Sequence, residues 1–458
     1  MKVIRTTLLL LCGFVVLQAV LFGLLVAGAA VPDRAVATQL VSDLAESRYG
    51  PPGAIDRMGG TADTFTECVV AGTGLGRPDL GVVDRAALMP RLASCNGGDV
   101  QIRAVVSGEE IDGLGYYFRY WAGYTVVTKP AIAWWGLGGL RVLVGAILVA
   151  ALLGLVWAVS RTVSALAAAA LVAPLVVASN VMSTPSTSLS QALSIATYLG
   201  CAAGTALAAS RSMSWGLLSV GVSAALFCFM DLLTTPAAAW MLSVAVAAGV
   251  TWVRTKGLKD TSFSMVVAGA LWPLAFAATW ASRWIIAVPA AGAGVVRRDV
   301  VDKMLFRSSG AAEGVRPSLG VPTSVNVRYW FEHVPTARVA IAAVALLVLV
   351  MMTVMVRRAL RGGPDGFRPL VAAGVIGLPA GIAVVWYEVL SNHSQIHEFF
   401  TYRNLPVALG VVGFAVVAAA ERRSSVAAAP EAESATERPV FAQAPRNDSR
   451  DEGTRTPV

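Results

Sequence analysis

Charged residues are scarce in this chain. Asp, Glu, Lys and Arg make up 14% of its 458 residues, whereas a soluble globular domain carries about 25%. Hydrophobic residues make up 56%, and the mean hydropathy is +0.66. Several apolar runs approach the roughly 20 residues that a membrane-spanning helix requires. The composition excludes an ordinary soluble domain and predicts an all-α polytopic membrane protein.

The chain also lacks the sequence motifs that define several enzyme classes. It has no Walker sequence, no Rossmann glycine pattern, no cysteine metal cluster and no nucleophile elbow. The net charge is +8, but the basic residues lie mainly at the ends of apolar runs, where they set membrane topology. We therefore expect membrane lipid as a partner and no nucleic acid.

Cysteine is also rare, with five residues in the whole chain. Cys68 and Cys95 lie in a polar segment, residues 32–133. If this segment faces an oxidising exterior, the two can form a disulfide; the alternative is two free thiols that never meet. The other three lie in apolar runs, where we expect packing residues: Cys12, Cys201 and Cys228.

The first apolar run extends from Leu8 to Val31. A cleaved signal peptide is the alternative, because Ala27–Ala30 looks cleavable. The run is long for a signal peptide and further spans follow, so we interpret it as an uncleaved first helix. Nine further spans are predicted, which gives about ten in all: 138–158, 163–180, 189–209, 214–231, 235–253, 262–282, 338–356, 369–390 and 403–420.

Basic residues occur in every second connection between the predicted spans. By the positive-inside rule these connections are cytoplasmic, and ten spans then place both termini in the cytoplasm of a multi-pass cell-membrane protein. The residues are Lys2, Arg5, Arg161, Arg211, Arg254, Lys256, Lys259, Arg357, Arg358, Arg361, Arg368, Arg422 and Arg423. The predicted parts are a first helix (1–31), a mixed extracytoplasmic loop domain (32–133), a transmembrane bundle (134–420, with an outer loop 283–337) and a disordered cytoplasmic tail (421–458).

The polar stretch Ser391–Arg403 interrupts two long apolar runs. It contains two of the three histidines of the chain, His393 and His397, together with Glu398 and Arg403. Ionisable groups beside membrane spans are costly and are usually kept for function. The alternative is a hydrated loop with an aromatic belt at the membrane interface.

Other polar groups fall in the predicted outer connections. Arg119–Tyr124, followed by Lys129, mixes aromatic and basic residues, which fits contacts with lipid phosphates or a simple interfacial girdle. Asp231 lies in a very short connection, where it is either a functional carboxylate or a turn-capping residue. Val295–Arg307 has apolar residues at helical spacing with charges on the opposite side, which predicts a helix lying on the membrane surface.

These groups suit the transfer of a group from a lipid phosphate to a hydroxyl. Arginines would hold the phosphate, and a carboxylate would remove the proton of the acceptor. His393 and His397 also have the spacing of a zinc pair, but the HExxH order is absent and no third ligand can be assigned. We therefore assign no metal site, and the use of a divalent metal stays open.

The layout resembles the GT-C class of bacterial membrane glycosyltransferases, which use polyprenyl-phosphate sugars. The closer resemblance is to a set of uncharacterised bacterial membrane proteins, and it rests on Arg119–Tyr124 with Lys129, Asp231–Pro236 and Asn392–Arg403. It covers most of residues 1–420. It implies a polyprenyl-phosphate-linked sugar as donor and a cell-envelope acceptor.

The resemblance also implies residue roles. The catalytic base would be Asp63 in the first outer loop, with Asp56 and Glu67 as rivals. The chain lacks the Asp-Asp or Asp-Glu pair that many GT-C enzymes carry in this loop. The remaining roles are catalytic for Asp231 and His397, donor-phosphate binding for Arg119, Arg307 and Arg403, and substrate binding for His393 and Glu398. A lipid or polysaccharide flippase and a non-enzymatic envelope scaffold are the alternatives.

Overall fold

The structure is a computed structural model, and it describes residues 2–46, 48, 70–92, 98–111, 113–309, 314–316, 318–362 and 366–421. Asp63, with its rivals Asp56 and Glu67, lies outside the described residues. So do Cys68 and Cys95, and the predicted disordered tail from residue 422 onwards.

The described residues are almost entirely helical, as predicted. We number the α-helices as follows: α1 Lys2–Ala29, α2 Asp33–Ala45, α3 Val82–Leu88, α4 Gly98–Ser107, α5 Thr125–Thr162, α6 Ala165–Val177, α7 Thr184–Thr187, α8 Leu189–Arg211, α9 Met213–Met230, α10 Pro236–Thr255, α11 Leu258–Ala291, α12 Ala293–Ser309, α13 Val321–His333, α14 Ala337–Leu360, α15 Arg368–Gly377, α16 Ile382–Val389, α17 Ser391–Ile396, α18 Glu398–Thr401 and α19 Asn404–Ala420. Two 3₁₀ turns, Val181–Ser183 and Leu378–Gly381, and two short strands, β1 Pro90–Arg91 and β2 Gly115–Tyr116, complete the set.

Nine helical segments in the described part of the chain are long and apolar enough to cross a membrane. A tenth is the bent pair formed by α6 and the following helical turn, whose two halves meet at 67°. This confirms an all-α polytopic protein with about ten spans. One span continues well past its predicted end, since α11 ends at Ala291. α5 contains two helices that meet at Gly136, and the second of them matches the predicted span.

A capped break at Gly136 divides α5 into two helices. Gly136 has φ 64° and interrupts the helix, a backbone conformation that favours glycine. The Asp43 carboxylate of α2 accepts a hydrogen bond from the Leu137 N–H at 2.8 Å. It thereby caps the second half of α5, as a side-chain oxygen does at a helix N-terminus. The cap fixes α2 against the bundle.

A buried ion cluster joins the segment between α1 and α5 to α5 itself. Lys129 Nζ donates to Asp33 Oδ1 at 3.1 Å and to the Gly74 carbonyl at 3.0 Å. Arg85 Nη1 lies 3.3 Å from the same Asp33 oxygen. Lys129 is only 2% exposed. The prediction that Lys129 contacts lipid phosphates is therefore wrong.

The aromatic stretch before α5 is likewise buried rather than interfacial. Trp121 and Tyr124 have no exposed surface, and the Gly123 N–H donates to the Phe229 carbonyl at 2.7 Å. A side chain at Gly123 would overlap the Phe229 ring. Neither predicted role, lipid contact or girdle, fits these residues, because the stretch packs against the end of α9.

The segment between α1 and α5 contains one small sheet of two short strands. β1 and β2 pair antiparallel, with Pro90 opposite Tyr116. The apolar side chains of α2 and of residues 70–92 join one hydrophobic core with α1 and α5. The segment is thus packed onto the bundle, within one compact unit that spans Met1–Glu421.

Hydrogen bonds show which connections lie at the two ends of the bundle. At one end, Trp330 Nε1 donates to the Ala178 carbonyl at 2.7 Å and Tyr402 OH to Asn180 Oδ1 at 2.7 Å. At the other end, Arg358 Nη1 donates to the Ala420 carbonyl at 3.1 Å. The connection after α6 and Tyr402 therefore lie at one end of α19, and the basic end of α14 lies at its other end.

Candidate functional site

The Ser391–Arg403 stretch is folded against α13. Asn326 Nδ2 donates to the Ser394 carbonyl at 2.9 Å, and Thr401 Oγ1 donates to Asn326 Oδ1 at 2.6 Å. The stretch forms the short helices α17 and α18. Asn392, His393 and Ser394 are 2% exposed or less, so the alternative of a hydrated loop is wrong.

His393 connects three separate parts of the chain. Its Nε2 lies 2.8 Å from the Leu233 carbonyl, so that nitrogen carries the proton and donates. Its Nδ1 then accepts from Arg307 Nη1 of α12. Burial lowers the pKa of His393 well below its usual value, and the charges of Arg307 and His397 add to this. The imidazole is therefore neutral and has both nitrogens occupied.

The hydrogen bonds of His393 argue against a zinc site at His393 and His397. A zinc ligand needs a free ring nitrogen, and His393 has none, since Leu233 and Arg307 take both. In the part of the chain that the structure describes, no group of three or more His, Cys, Asp or Glu residues is arranged to hold a metal ion. The two histidines are better explained as hydrogen-bonding groups.

His397 has an open hydrogen-bonding position. Its ring centroid lies 4.8 Å from that of His393 and 5.0 Å from that of Phe400, on which it stacks at 17°. Its Nδ1 is buried and has no hydrogen-bond partner. Burial, together with the charge of Arg307, lowers the pKa of His397 to about 4. A neutral imidazole with an unused nitrogen is suited to bind a ligand hydroxyl.

Asp231 forms the turn that follows α9. Its Oδ2 accepts from the Thr234 N–H at 2.7 Å, and its Oδ1 accepts from the Thr234 hydroxyl. This confirms the turn-capping alternative. Burial nevertheless raises the pKa of Asp231 to about 6, although the hydrogen bonds from Thr234 oppose the rise. A carboxyl with a pKa near neutrality can also act as a proton acceptor.

The Asp231 turn is strained at Leu233. Leu233 has φ 68°, a left-handed conformation that a non-glycine residue adopts at a cost of about 1–3 kcal/mol. Its carbonyl is the acceptor for His393. Such strain persists where neighbouring contacts hold the backbone, and here His393 supplies one of them.

Tyr120 lies beneath two arginines. The guanidinium carbons of Arg119 and Arg307 lie 6.0 Å and 5.8 Å from the centre of the Tyr120 ring, within the range of cation–π attraction. Burial raises the pKa of Tyr120 to about 12, the two arginines oppose this, and the Asp231 charge adds to it. The ring thus links both arginines to the Asp231 turn.

Arg119 is held by α11 and α12. Its Nη1 lies 2.8 Å and 3.0 Å from the two carboxylate oxygens of Asp299. Its carbonyl accepts from the indole nitrogens of Trp280 and of Trp284, the latter at 3.2 Å. Asp299 therefore neutralises the charge of Arg119 within the protein. No local pattern in the sequence indicates that Asp299 is its partner.

Arg403 lies at the bend between α6 and α8 and has no exposed surface. Its Nε donates to Asn180 Oδ1 at 2.7 Å, and its Nη1 donates to Gln191 Oε1. The buried Tyr198 hydroxyl has no hydrogen-bond partner. It lies within the range of electrostatic interaction with Arg403 and Asp231. Arg403 thus belongs to a network of its own next to the Asp231 turn.

Glu398 faces α13. The charges that act on it are those of His333, Arg328 and Glu332. Arg307 is not among them, and Glu398 is therefore not placed with Arg307. Five of the predicted site residues do meet in one place, with Tyr120 and Leu233 between them. We call this group the polar cluster: Arg119, Tyr120, Asp231, Leu233, Arg307, His393 and His397.

The α12 helix, which carries Arg307, was predicted from its apolar spacing, and the helix itself is confirmed. The predicted separation of apolar and charged faces is wrong. Val296 and Val300 are buried with Phe118, but exposed apolar residues such as Leu305 alternate with exposed arginines such as Arg297. α12 is held both by the burial of Val296 and Val300 and by the contacts of Asp299 with Arg119 and of Arg307 with His393.

Comparison of the chain with protein-family models, with curated proteins and with solved structures finds no match. The functional interpretation therefore depends on the geometry of the polar cluster.

Proposed function

We propose that this chain is a membrane glycosyltransferase that moves a sugar from a polyprenyl-phosphate donor to a hydroxyl of a cell-envelope acceptor. The observation that supports this most is the junction at His393. There the Asp231 turn, through the Leu233 carbonyl, and the cationic Arg307 meet on one side chain. A proton acceptor and a phosphate-binding cation are the two groups that such a transfer needs.

Arg307 is the proposed ligand of the donor phosphate. It is half-buried, and within the described ranges no carboxylate lies within ion-pair distance of it. Its contact with His393 is to a neutral imidazole. Guanidinium groups bind phosphate oxygens by charge-assisted hydrogen bonds. Arg307 would also stabilise the charge that grows on the phosphate as it leaves.

The chemical step is a direct displacement. The acceptor oxygen attacks the anomeric carbon, the bond from that carbon to the phosphate oxygen breaks, and the bonding electrons leave with the polyprenyl phosphate. The acceptor proton passes to a carboxylate. The resemblance assigns this role to Asp63, outside the described residues. Among the described carboxylates Asp231 suits it, because its pKa of about 6 leaves it mostly ionised at neutral pH yet able to take a proton.

His397 is the proposed acceptor ligand. Its unused Nδ1 can accept a hydrogen bond from a sugar hydroxyl, and the stacked Phe400 offers apolar surface beside it. Because the imidazole is neutral, it holds a hydroxyl without competing with Arg307 for the phosphate.

We place the polar cluster on the extracytoplasmic side of a cell membrane, with both termini in the cytoplasm. The grouping of basic connections at the opposite end of the bundle supports this orientation. There Lys256 and Arg358 donate to the carbonyls of Glu421 and Ala420 at the end of α19.

The test is sugar transfer in isolated membranes supplied with a radiolabelled polyprenyl-phosphate sugar. We expect Asp231→Asn, Arg307→Gln and His397→Ala to lower turnover at least tenfold. Two exposed residues of α12, in the variants Asp302→Asn and Arg297→Gln, serve as charge-matched controls and should retain wild-type turnover. Unchanged turnover in all three cluster variants would refute the assigned roles, and Asp63→Asn tests the base that the resemblance implies.

A lipid flippase is the second candidate, because the structure contains an interrupted span. α6 is bent by 67° from the helical turn that follows it, and the buried Arg403 contacts the bend at Asn180. Transporters bind substrates at such broken helices. Movement of a fluorescent polyprenyl phosphate across vesicles, lost in Arg403→Gln, would favour this candidate, whereas sugar transfer without lipid movement would exclude it.

A further inference from the structure

Two arginines share the Tyr120 ring, but only one is neutralised. Arg119 is paired through one nitrogen with both oxygens of Asp299. Arg307 contacts the neutral His393 and is absent from the ion pairs of the described residues. Of the two arginines at the Tyr120 ring, Arg307 is therefore the one whose charge is open to an incoming anion.

The position of Arg119 does not depend on Asp299 alone. Trp280 and Trp284 of α11 both donate to the Arg119 carbonyl, and its guanidinium carbon lies 5.1 Å from the centre of the Tyr117 ring. Removal of the Asp299 charge would therefore leave Arg119 beside Tyr120, where it would become a second free cation.

We propose that Asp299 determines the charge of the lipid that the site accepts. With Arg119 occupied, the cluster binds a lipid phosphodiester, which carries one negative charge, at Arg307. It discriminates against the corresponding diphosphate, because the second charge meets an Arg119 that is already paired and is repelled by Asp299. This inference rests on the proposed function, since it concerns the donor site of that function.

Asp299 would thus be a specificity-determining residue that acts through Arg119. Replacing it by asparagine keeps the shape of the side chain and removes the charge. The freed Arg119 should then bind the second phosphate by a charge-assisted hydrogen bond, which is worth about a tenfold change in affinity or more. Affinity for the phosphodiester should change much less, because Arg307 already meets its single charge.

The experiment measures binding rather than transfer. The full chain is placed in nanodiscs of neutral lipid, and its intrinsic tryptophan fluorescence is titrated with two sugar-free probes. These are methyl farnesyl phosphate, with one negative charge, and methyl farnesyl diphosphate, with two. We expect the wild-type protein to prefer the first probe by roughly tenfold or more.

Asp299→Asn should tighten binding of the diphosphate probe about tenfold, and Asp299→Asn combined with Arg119→Gln should reverse that gain. Asp302→Asn, on the exposed side of the same helix, should leave both affinities unchanged. A gain in Asp302→Asn equal to that in Asp299→Asn would overturn the inference, because it would reflect only the net charge of α12.

The failure of this inference can be distinguished from failure of the proposed function. If binding of the phosphodiester probe is lost in Arg307→Gln but Asp299→Asn does not alter the preference, only the role of Asp299 is wrong. If neither probe binds in a manner that depends on Arg307, the proposed donor site is itself wrong. Thermal unfolding of each variant shows whether it is folded before its affinity is compared.

Discussion

Replacing Asp231 by asparagine should stabilise the protein at neutral pH while it lowers turnover at least tenfold. The Asp231 carboxyl is 3% exposed, and burial raises its pKa from 3.8 to about 6. A carboxyl that holds its proton more tightly in the folded protein favours folding at low pH. This advantage is lost as the pH rises from about 4 to about 6, and the total loss is about 3 kcal/mol.

An asparagine does not ionise, so the variant avoids this loss. Its amide oxygen can still accept from the Thr234 N–H, and its amide nitrogen can donate to the Thr234 hydroxyl. Below pH 4 the wild-type and variant proteins should have nearly equal stability. Above pH 6 the variant should be more stable by up to about 3 kcal/mol, since both proteins share all other titrating groups.

The assay is unfolding in mixed micelles with increasing sodium dodecyl sulfate, followed by fluorescence of the 12 tryptophans, at pH values from 4 to 8. Asp302→Asn, which removes an exposed carboxyl, is the control and should show no such trend. A stability difference that does not vary with pH, or one in which the variant becomes less stable as the pH rises, would refute the reasoning. The second of these results would mean that Asp231 stabilises the fold as an anion.

Three further predictions follow from buried contacts. Asp33→Asn should lower the free energy of unfolding by about 3–5 kcal/mol, because it leaves Lys129 buried without its carboxylate; adding Lys129→Met should restore much of the loss in the same unfolding assay. Gly123→Ala places its new carbon about 2.6 Å from the Phe229 carbonyl oxygen, so the free energy of unfolding should fall by about 1–3 kcal/mol. Size-exclusion chromatography should then show less folded protein, whereas the control Gly154→Ala should show no change. Arg307→Lys keeps the charge but loses the planar contact with Tyr120, so sugar transfer should fall roughly tenfold with a raised KM; wild-type kinetics would contradict the proposed phosphate contact.

The spans could be predicted from the sequence because hydropathy and length largely decide them. Every predicted span corresponds to one of the nine helical segments or to the bent pair that follows α5. The ends were less predictable. Residues 125–135 form a separate helical stretch ahead of the predicted span. Asp43, distant in sequence, caps the break at Gly136 between the two, and no local pattern in the sequence shows such a cap.

The sequence indicates which residues form the site but not which residues they contact. His393, Arg307 and Asp231 stand out as ionisable groups next to apolar runs. Their mutual contacts depend on helix packing, as does the ion pair between Arg119 and Asp299, which lie 180 residues apart. Lys129 was misinterpreted because burial beside Asp33 and exposure at a membrane surface produce the same local sequence.

The central claim is that Arg307, the Asp231 turn and His393 form one phosphate-binding site. The most direct test is a cryo-electron microscopy structure of the full chain in nanodiscs with bound methyl farnesyl phosphate. We predict phosphate density within hydrogen-bonding distance of Arg307, over Tyr120, with His393 still joined to the Leu233 carbonyl. A structure in which Arg307 and His393 are far apart, or in which the phosphate binds elsewhere on the bundle, would contradict the account.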